Sequence, residues 1–197
     1  MFGIKAYDAA TDAALIHAYI KGDEKAFETL YYRYRQMLYA YLNNLADRHC
    51  AEVDEVFAET WLRVIDKLPG YQDNGKFSAW LFRIARNIFI DRIRRLHPER
   101  FVTIDGEKGA ELVGSTEISP DRDIGSGDIR SAIDRALAAL PPEQKEVFLL
   151  REEAELSFKE IAEIQRCSLG TVLSRMRYAL KNLRAFLRNI DSGGLLQ

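Results

Sequence analysis

Between Pro98 and Asp128 the sequence carries Gly106, Gly109, Gly114, Gly125 and Gly127 with Ser115, Ser119 and Pro120, and few large apolar residues. A stretch of about thirty residues with this character is too long for a loop inside a compact domain. It therefore divides the chain of 197 residues into two pieces, each of which must bury a core of its own. The expected organisation is a domain over 1–97, a flexible linker over 98–128 and a second domain over 129–197. With 47% apolar residues, neither piece lacks material for a core.

Both pieces read as helical. From Asp12 to about Leu96 the apolar residues recur at helical spacing, broken at Gly22-Asp23, at Asp47 to Ala51 and at Pro69 to Gly75, which predicts four helices. The third, from about Glu52 to Leu68, places Val53, Val56, Phe57, Leu62, Val64 and Ile65 on its apolar side and Asp54, Glu55 and Glu59 outside. The fourth repeats Phe77, Trp80, Leu81, Ile84, Ile88 and Phe89, with Arg83, Asn87, Asp91 and Arg94 opposite. In the second piece a helix spans Ile129 to Leu140 and another begins at Pro142, a residue suited to a first helical turn. Ser157 with Glu160 three residues on predicts a capping box opening a short helix to Ile164, and Ser168 caps a longer helix to about Asn189. The expected fold is all-α: two small helical domains, the second containing a helix-turn-helix.

Charge is unevenly placed. Six Arg (83, 86, 92, 94, 95, 100) stand between Arg83 and Arg100 against two acids, and six basic residues between Arg166 and Arg188 against none. The other 16 Lys and Arg are outnumbered by 28 Asp and Glu, so a net charge of -2 hides two basic stripes on an acidic body. That pattern suits a chain that meets a polyanion at two defined places. At the second stripe, Phe158, Ile161, Ala162, Leu169, Val172, Met176, Leu180 and Leu183 pack two helices across a turn of about four residues (Gln165 to Ser168). Ser174, Arg177, Tyr178, Lys181 and Arg184 then face outward, toward the base edges of a major groove. The first stripe instead pairs Arg with aromatics beside the loop Gly70 to Gly75, a combination suited to single-stranded DNA. Helical hairpins with basic outer faces also occur in proteins that never touch DNA, and Trp80, Phe82 and Phe89 also serve as core residues.

Other classes find little support. No window approaches a membrane span, and Met1 to Ala14 lacks the basic start and apolar run of a signal peptide, so a soluble cytoplasmic protein without membrane insertion is expected. Cys50 and Cys167 lie far apart and are read as reduced thiols, with no metal site and no cofactor. His17, His49 and His97 have no metalloprotease or triad context and no Gly-rich phosphate loop is present, so an enzyme is not indicated. A conventional helix-turn-helix regulator, dimerising through its N-terminal helices and binding duplex operators alone, remains open but leaves the Gly70 to Gly75 loop and the Arg-rich fourth helix without a role.

The string FSAWLFRIARNIFIDRIRR from Phe77 to Arg95 resembles the promoter-melting segment of bacterial RNA polymerase sigma factors of the extracytoplasmic-function (ECF) group. LPPEQKEVF (Leu140 to Phe148), SFKEIAEI (Ser157 to Ile164) and LGTVLSR (Leu169 to Arg175) resemble that group's C-terminal helix-turn-helix domain. GDEKAF (Gly22 to Phe27) and DEVFAETW (Asp54 to Trp61) also fit, in the same order along the chain. The resemblance implies core RNA polymerase as a partner, through its clamp coiled coil and flap, with Asp54, Glu55, Glu59, Trp61 and Arg63 on the clamp-binding surface. It implies capture of melted minus-ten DNA by Tyr71, Asn74, Lys76, Phe77, Arg83, Arg86, Asn87, Asp91 and Arg94. Duplex minus-35 DNA falls to Arg166, Ser168, Thr171, Ser174, Arg175, Arg177, Tyr178 and Lys181. An anti-sigma factor acting on the two domains is implied as the regulator. This chain departs from the family pattern at Ala58, usually Gln, at Leu173, Tyr178 and Leu180, usually basic, and at Arg166, often Gly and here a candidate phosphate contact.

Overall fold

The computed structural model describes residues 7, 9–46, 53–72, 74–96, 101–102, 111–112 and 129–194. They form α1 (Asp12–Ile20), α2 (Glu24–Leu45), α3 (Val53–Lys67), α4 (Phe77–Leu96), β1 (Phe101–Val102), β2 (Glu111–Leu112), α5 (Ile129–Ala138), α6 (Pro142–Glu152), α7 (Phe158–Gln165) and α8 (Leu169–Gly194). The chain divides into two compact units, Met1–Ile90 with Glu153–Leu156, and Asp91–Glu152 with Ser157–Gln197. The all-α, two-domain architecture expected from the sequence is therefore found. One detail was not foreseen: inside the stretch read as linker, β1 and β2 pair antiparallel with Phe101 opposite Leu112. The remainder of that stretch, the Asp47–Ala51 break, Cys50, His49, His97 and Arg100 lie outside the described residues.

In the first unit the helix starts are set by short polar side chains. The Thr11 hydroxyl accepts the Ala14 N–H at 3.3 Å, and Asp23 accepts that of Lys25 at 3.0 Å. Gly22, at φ +98°, takes the left-handed turn between α1 and α2 at no Cβ cost. Asp12 then ties α1 to α2, because its carboxylate accepts from Arg33 Nη1 at 2.5 Å and from the Tyr34 hydroxyl, while Arg33 Nη2 donates to the Ala10 carbonyl at 2.8 Å. Below these bonds Leu15, Leu30, Leu38, Tyr41, Leu42, Val56, Val64, Leu68, Leu81, Phe82 and Ala85 are fully buried. Tyr41 and Phe82 meet edge to face at 5.2 Å, so a polar-tipped aromatic on α2 fixes the seat of α4.

The second unit closes over Val147, Leu149, Leu150, Ile161, Val172 and Ala179, all fully buried. Val172, Met176, Ala179 and Leu183 form the buried seam of α8 at spacings of four, three and four. The expected capping box is present: Ser157 Oγ accepts the Glu160 N–H at 3.3 Å, and Glu160 Oε2 accepts the Ser157 N–H at 2.9 Å. Ser168 Oγ caps α8 by accepting the Thr171 N–H at 3.0 Å.

Candidate nucleic-acid interface

Leu68–Gly70 is a single 3-10 turn that ends α3, and Gly75 at φ +70° turns the chain back into α4. Between them Tyr71 lies on Trp80 with ring centroids 4.5 Å apart and meets Phe77 edge-on at 5.9 Å. Asp66, Lys67, Gly70, Tyr71, Gln72 and Trp80 line a shallow open depression beside this stack. It offers an aromatic wall, an ammonium, a carboxylate and an amide, which are the groups needed to stack on a planar base and bond its edge. Asn74 and Lys76 are exposed near it, and Arg83, Asn87, Asp91 and Arg94 are exposed along α4 at spacings of four, four and three. Arg86 is half-buried. Arg94 and Asp91 approach to 3.8 Å while each is about half exposed, a surface pair too weak to hold either side chain in place.

Phe77 needs correcting. It is 1% exposed and packs on Tyr34 at 5.3 Å, so it supports the loop from below and presents no face to a ligand. Trp80 and Gln72, not among the individual residues expected to contact DNA, line the depression instead.

On α3 the buried stripe is Val53, Val56, Thr60, Trp61 and Val64. Trp61 is 5% exposed inside a ring of Phe27, Tyr31 and Phe57, with Tyr31 at 4.9 Å. Its expected place on a partner-binding surface is therefore overturned. The reverse holds for Leu62 and Ile65, expected on the apolar side and found 66% and 38% exposed. Leu62 lies half a turn from the centre of the buried stripe, among Asp54, Glu55 and Asp66, all exposed. Glu59 pairs with Arg63 at 2.6 Å, and the Tyr39 hydroxyl donates to Asp54 at 2.8 Å, which raises the Tyr39 pKa.

The turn between α7 and α8 is closed by backbone and side-chain hydrogen bonds. Arg166 ends α7 in the left-handed region, φ 53° and ψ 42°, and the Cys167 N–H closes back on the Ala162 carbonyl at 3.1 Å. Arg175, expected on the DNA face, is half-buried and donates to Gln165 Oε1 at 3.1 Å, while Gln165 Nε2 donates to buried Glu146 at 2.7 Å. These bonds brace the turn, a role no local pattern signals because Glu146 and Gln165 are 19 residues apart. Arg166, Ser168, Ser174, Arg177, Tyr178, Lys181 and Arg184 are exposed, Thr171 is half-buried, and the Arg177 guanidinium sits 5.2 Å over the Tyr178 ring. Leu169, expected in the helix packing, is instead 39% exposed. The seam is already filled by Val172 one step round the helix.

Two family models match: Sigma-70 region 2 over residues 30–98 and Sigma-70 region 4 over residues 130–183. Over 179 residues the chain is 30% identical to the ECF RNA polymerase sigma factor SigW of Bacillus subtilis, covering 86% of this chain and 93% of that one. The chain belongs to the ECF sigma factors. It is accordingly a transcription initiation factor. The ECF RNA polymerase sigma-E factor of Escherichia coli is also 30% identical, over 84% of this chain and 88% of its own. Among solved structures, the sigma factor RpoE in complex with the anti-sigma factor NepR from Bartonella quintana shares the fold at TM-score 0.64, 24% identity, 83% of this chain and 98% of that one. CnrH in complex with the cytosolic domain of CnrY does so at TM-score 0.63, 22% identity, 90% and 97%. Region 2 of this sigma factor thus contains the Tyr71–Trp80 stack and the α4 stripe, and region 4 contains the braced turn and α8. No helix among the described residues is long and apolar enough to cross a membrane.

Proposed function

We propose that this ECF sigma factor recruits core RNA polymerase to promoters carrying minus-35 and minus-ten elements and stabilises the melted strand. The observation that carries the proposal is that each region matched in sequence contains one exposed basic face of different chemistry: Arg with stacked aromatics in region 2, and a braced helix free of acids from Leu169 to Leu183 in region 4. Asp54, Glu55, Glu59 and Arg63, with Leu62 among them, meet the polymerase clamp coiled coil, and region 4 rests on the flap. A base unpaired from the minus-ten element stacks against Tyr71 and Trp80, while Asn74, Lys76, Arg83, Arg86, Asn87 and Arg94 hold its edge and the neighbouring phosphates, with Asp91 accepting from an exocyclic amine. Arg166, Ser168, Thr171, Ser174, Arg177, Tyr178 and Lys181 contact the minus-35 duplex, with Arg175 fixing the turn beneath them.

The factor catalyses nothing itself: holding bases outside the stack offsets the cost of unpairing, and the polymerase does the chemistry. It acts in the cytoplasm, where its polymerase is. An anti-sigma factor is its regulator, a reading supported by a neighbour of the same fold solved in complex with the anti-sigma factor NepR. The test is to add the purified chain to core polymerase and map starts across fragments of its own genome. Starts downstream of a shared two-element motif bear the proposal out; a chain that binds duplex DNA alone and never alters polymerase selectivity is a conventional regulator.

A further inference from the structure

The recognition helix of a helix-turn-helix meets base edges through its first turns. In α8 those turns present Leu169 and Leu173, one helical turn apart and 39% and 46% exposed. Neither belongs to the buried seam, which is Val172, Met176, Ala179 and Leu183. Both leucines stand beside exposed Ser174 and Arg177, in a stretch from Arg166 to Arg188 with six basic residues and no acid. The surface that complements such a stretch is a nucleic-acid duplex. In a major groove the apolar group that a base edge offers is the thymine C5-methyl.

We propose that Leu173, with Leu169 one turn before it, is a specificity determinant that reads thymine methyl groups in the minus-35 duplex. This rests on the reading of α8 as the helix that enters the groove. Arg166, Arg177 and Lys181 supply sequence-independent attraction to phosphates, so the leucines decide where along the duplex the helix settles. Where a lysine or arginine at position 173 would seek guanine, leucine gains nothing from guanine or cytosine and something from each thymine it covers.

Uracil lacks the thymine methyl and is otherwise the same base, so it isolates this contact. The probe is the minus-35 duplex of a promoter this factor transcribes, with deoxyuridine replacing thymine at one position at a time, bound by polymerase carrying the full-length factor. Removing a methyl that Leu173 or Leu169 covers should weaken binding about fourfold, the burial of one methyl-sized group. In L173A, or L169A for the second position, the thymine-to-uracil affinity ratio should fall to about one; both sites are exposed, and an unchanged thermal midpoint shows the fold intact. Indifference to uracil at every position would overturn the proposal, as would a penalty that persists in the L169A/L173A double variant. Weakened core polymerase binding in L173A with the ratio unchanged at saturating factor would assign the leucine to a protein contact instead, and also overturns it. Absence of any polymerase-dependent start defeats the underlying sigma-factor reading, and that is seen in transcripts before uracil is introduced.

Discussion

Arg166 should hold stability and DNA binding in opposition. Its backbone sits at φ 53° and ψ 42°, where a residue with a Cβ pays about 1–2 kcal/mol. Glycine escapes that cost but brings about 0.5–1 kcal/mol more backbone entropy to the unfolded chain. The difference leaves R166G more stable by about 0.5–1 kcal/mol, or about 2–8 °C in the midpoint of a unit this size. R166A keeps the Cβ and gains nothing. Both variants lose the exposed guanidinium, so both should lose one phosphate contact and flatten the log–log salt dependence of promoter binding by about 0.9. Thermal unfolding followed by circular dichroism, with holoenzyme affinity measured from about 50 to 200 mM salt, reads both quantities. Equal midpoints for R166G and R166A would refute the strain; an unchanged salt slope in both would refute the phosphate contact. The outcome expected, a glycine variant that is steadier and binds less, would explain why a residue suited to neither the turn nor its entropy stands there.

Four further outcomes follow from where side chains lie. W61F should still bind core polymerase, because Trp61 is interior and its buried indole Nε1 has no partner to lose, whereas W61A should cost about 3–5 kcal/mol of stability. D54K with E55K should abolish polymerase binding, measured by co-elution with core enzyme, while lowering the melting temperature only by the loss of the exposed Tyr39–Asp54 bond and two first-turn acids; retention of binding would move the clamp site off α3. Y71A should leave polymerase recruitment intact and reduce open complex about 10- to 100-fold, the worth of one stacked base, as read by permanganate reactivity of the melted strand. The Tyr7 hydroxyl holds the Asp23 carboxyl below the ordinary carboxylate range, against burial and with help from the Lys25 and Ala26 N–H groups. Below about pH 4 the unfolded chain therefore binds the proton first, and the stability contributed by this bond is lost as pH falls toward the native value. Midpoints measured down through that window should fall more steeply for the native chain than for Y7F.

Helix starts and turns were legible because they depend on residues close in sequence: Ser157 with Glu160, Ser168 with Thr171, Gly22 with Asp23. The outward faces of α4 and α8 were legible for a similar reason, since a polar residue recurring every three or four positions has one side to go to. What failed were apolar and aromatic residues whose side is decided by a partner helix. Trp61 and Leu62 are neighbours, and periodicity alone leaves either free to be core; the aromatic ring of Phe27, Tyr31 and Phe57 selects Trp61 and turns Leu62 out. The bracing of Arg175 was hidden too, because the Glu146–Gln165 bond joins α6 to α7 and has no period. Phe77 failed for a different reason: family likeness assigns the loop to DNA as a whole, while packing on Tyr34 withdraws this one member.

The segregation of charge bears on how the two faces work together. With 16 basic residues against 28 acids outside the two stripes, the rest of the chain repels a phosphate backbone that the stripes attract. On the proposed function, each stripe alone should hold DNA weakly, with the acidic body discouraging the chain from coating it. Attached to polymerase, the second contact becomes intramolecular, and two weak sites gain an effective concentration that neither has in free solution. On the proposed function, an acidic body would make promoter binding conditional on polymerase, since it subtracts most from the single-site encounter and least from the doubly held one. Neutralising acids far from both faces should accordingly raise binding by the free factor more than by holoenzyme, eroding the dependence on polymerase without touching a DNA contact.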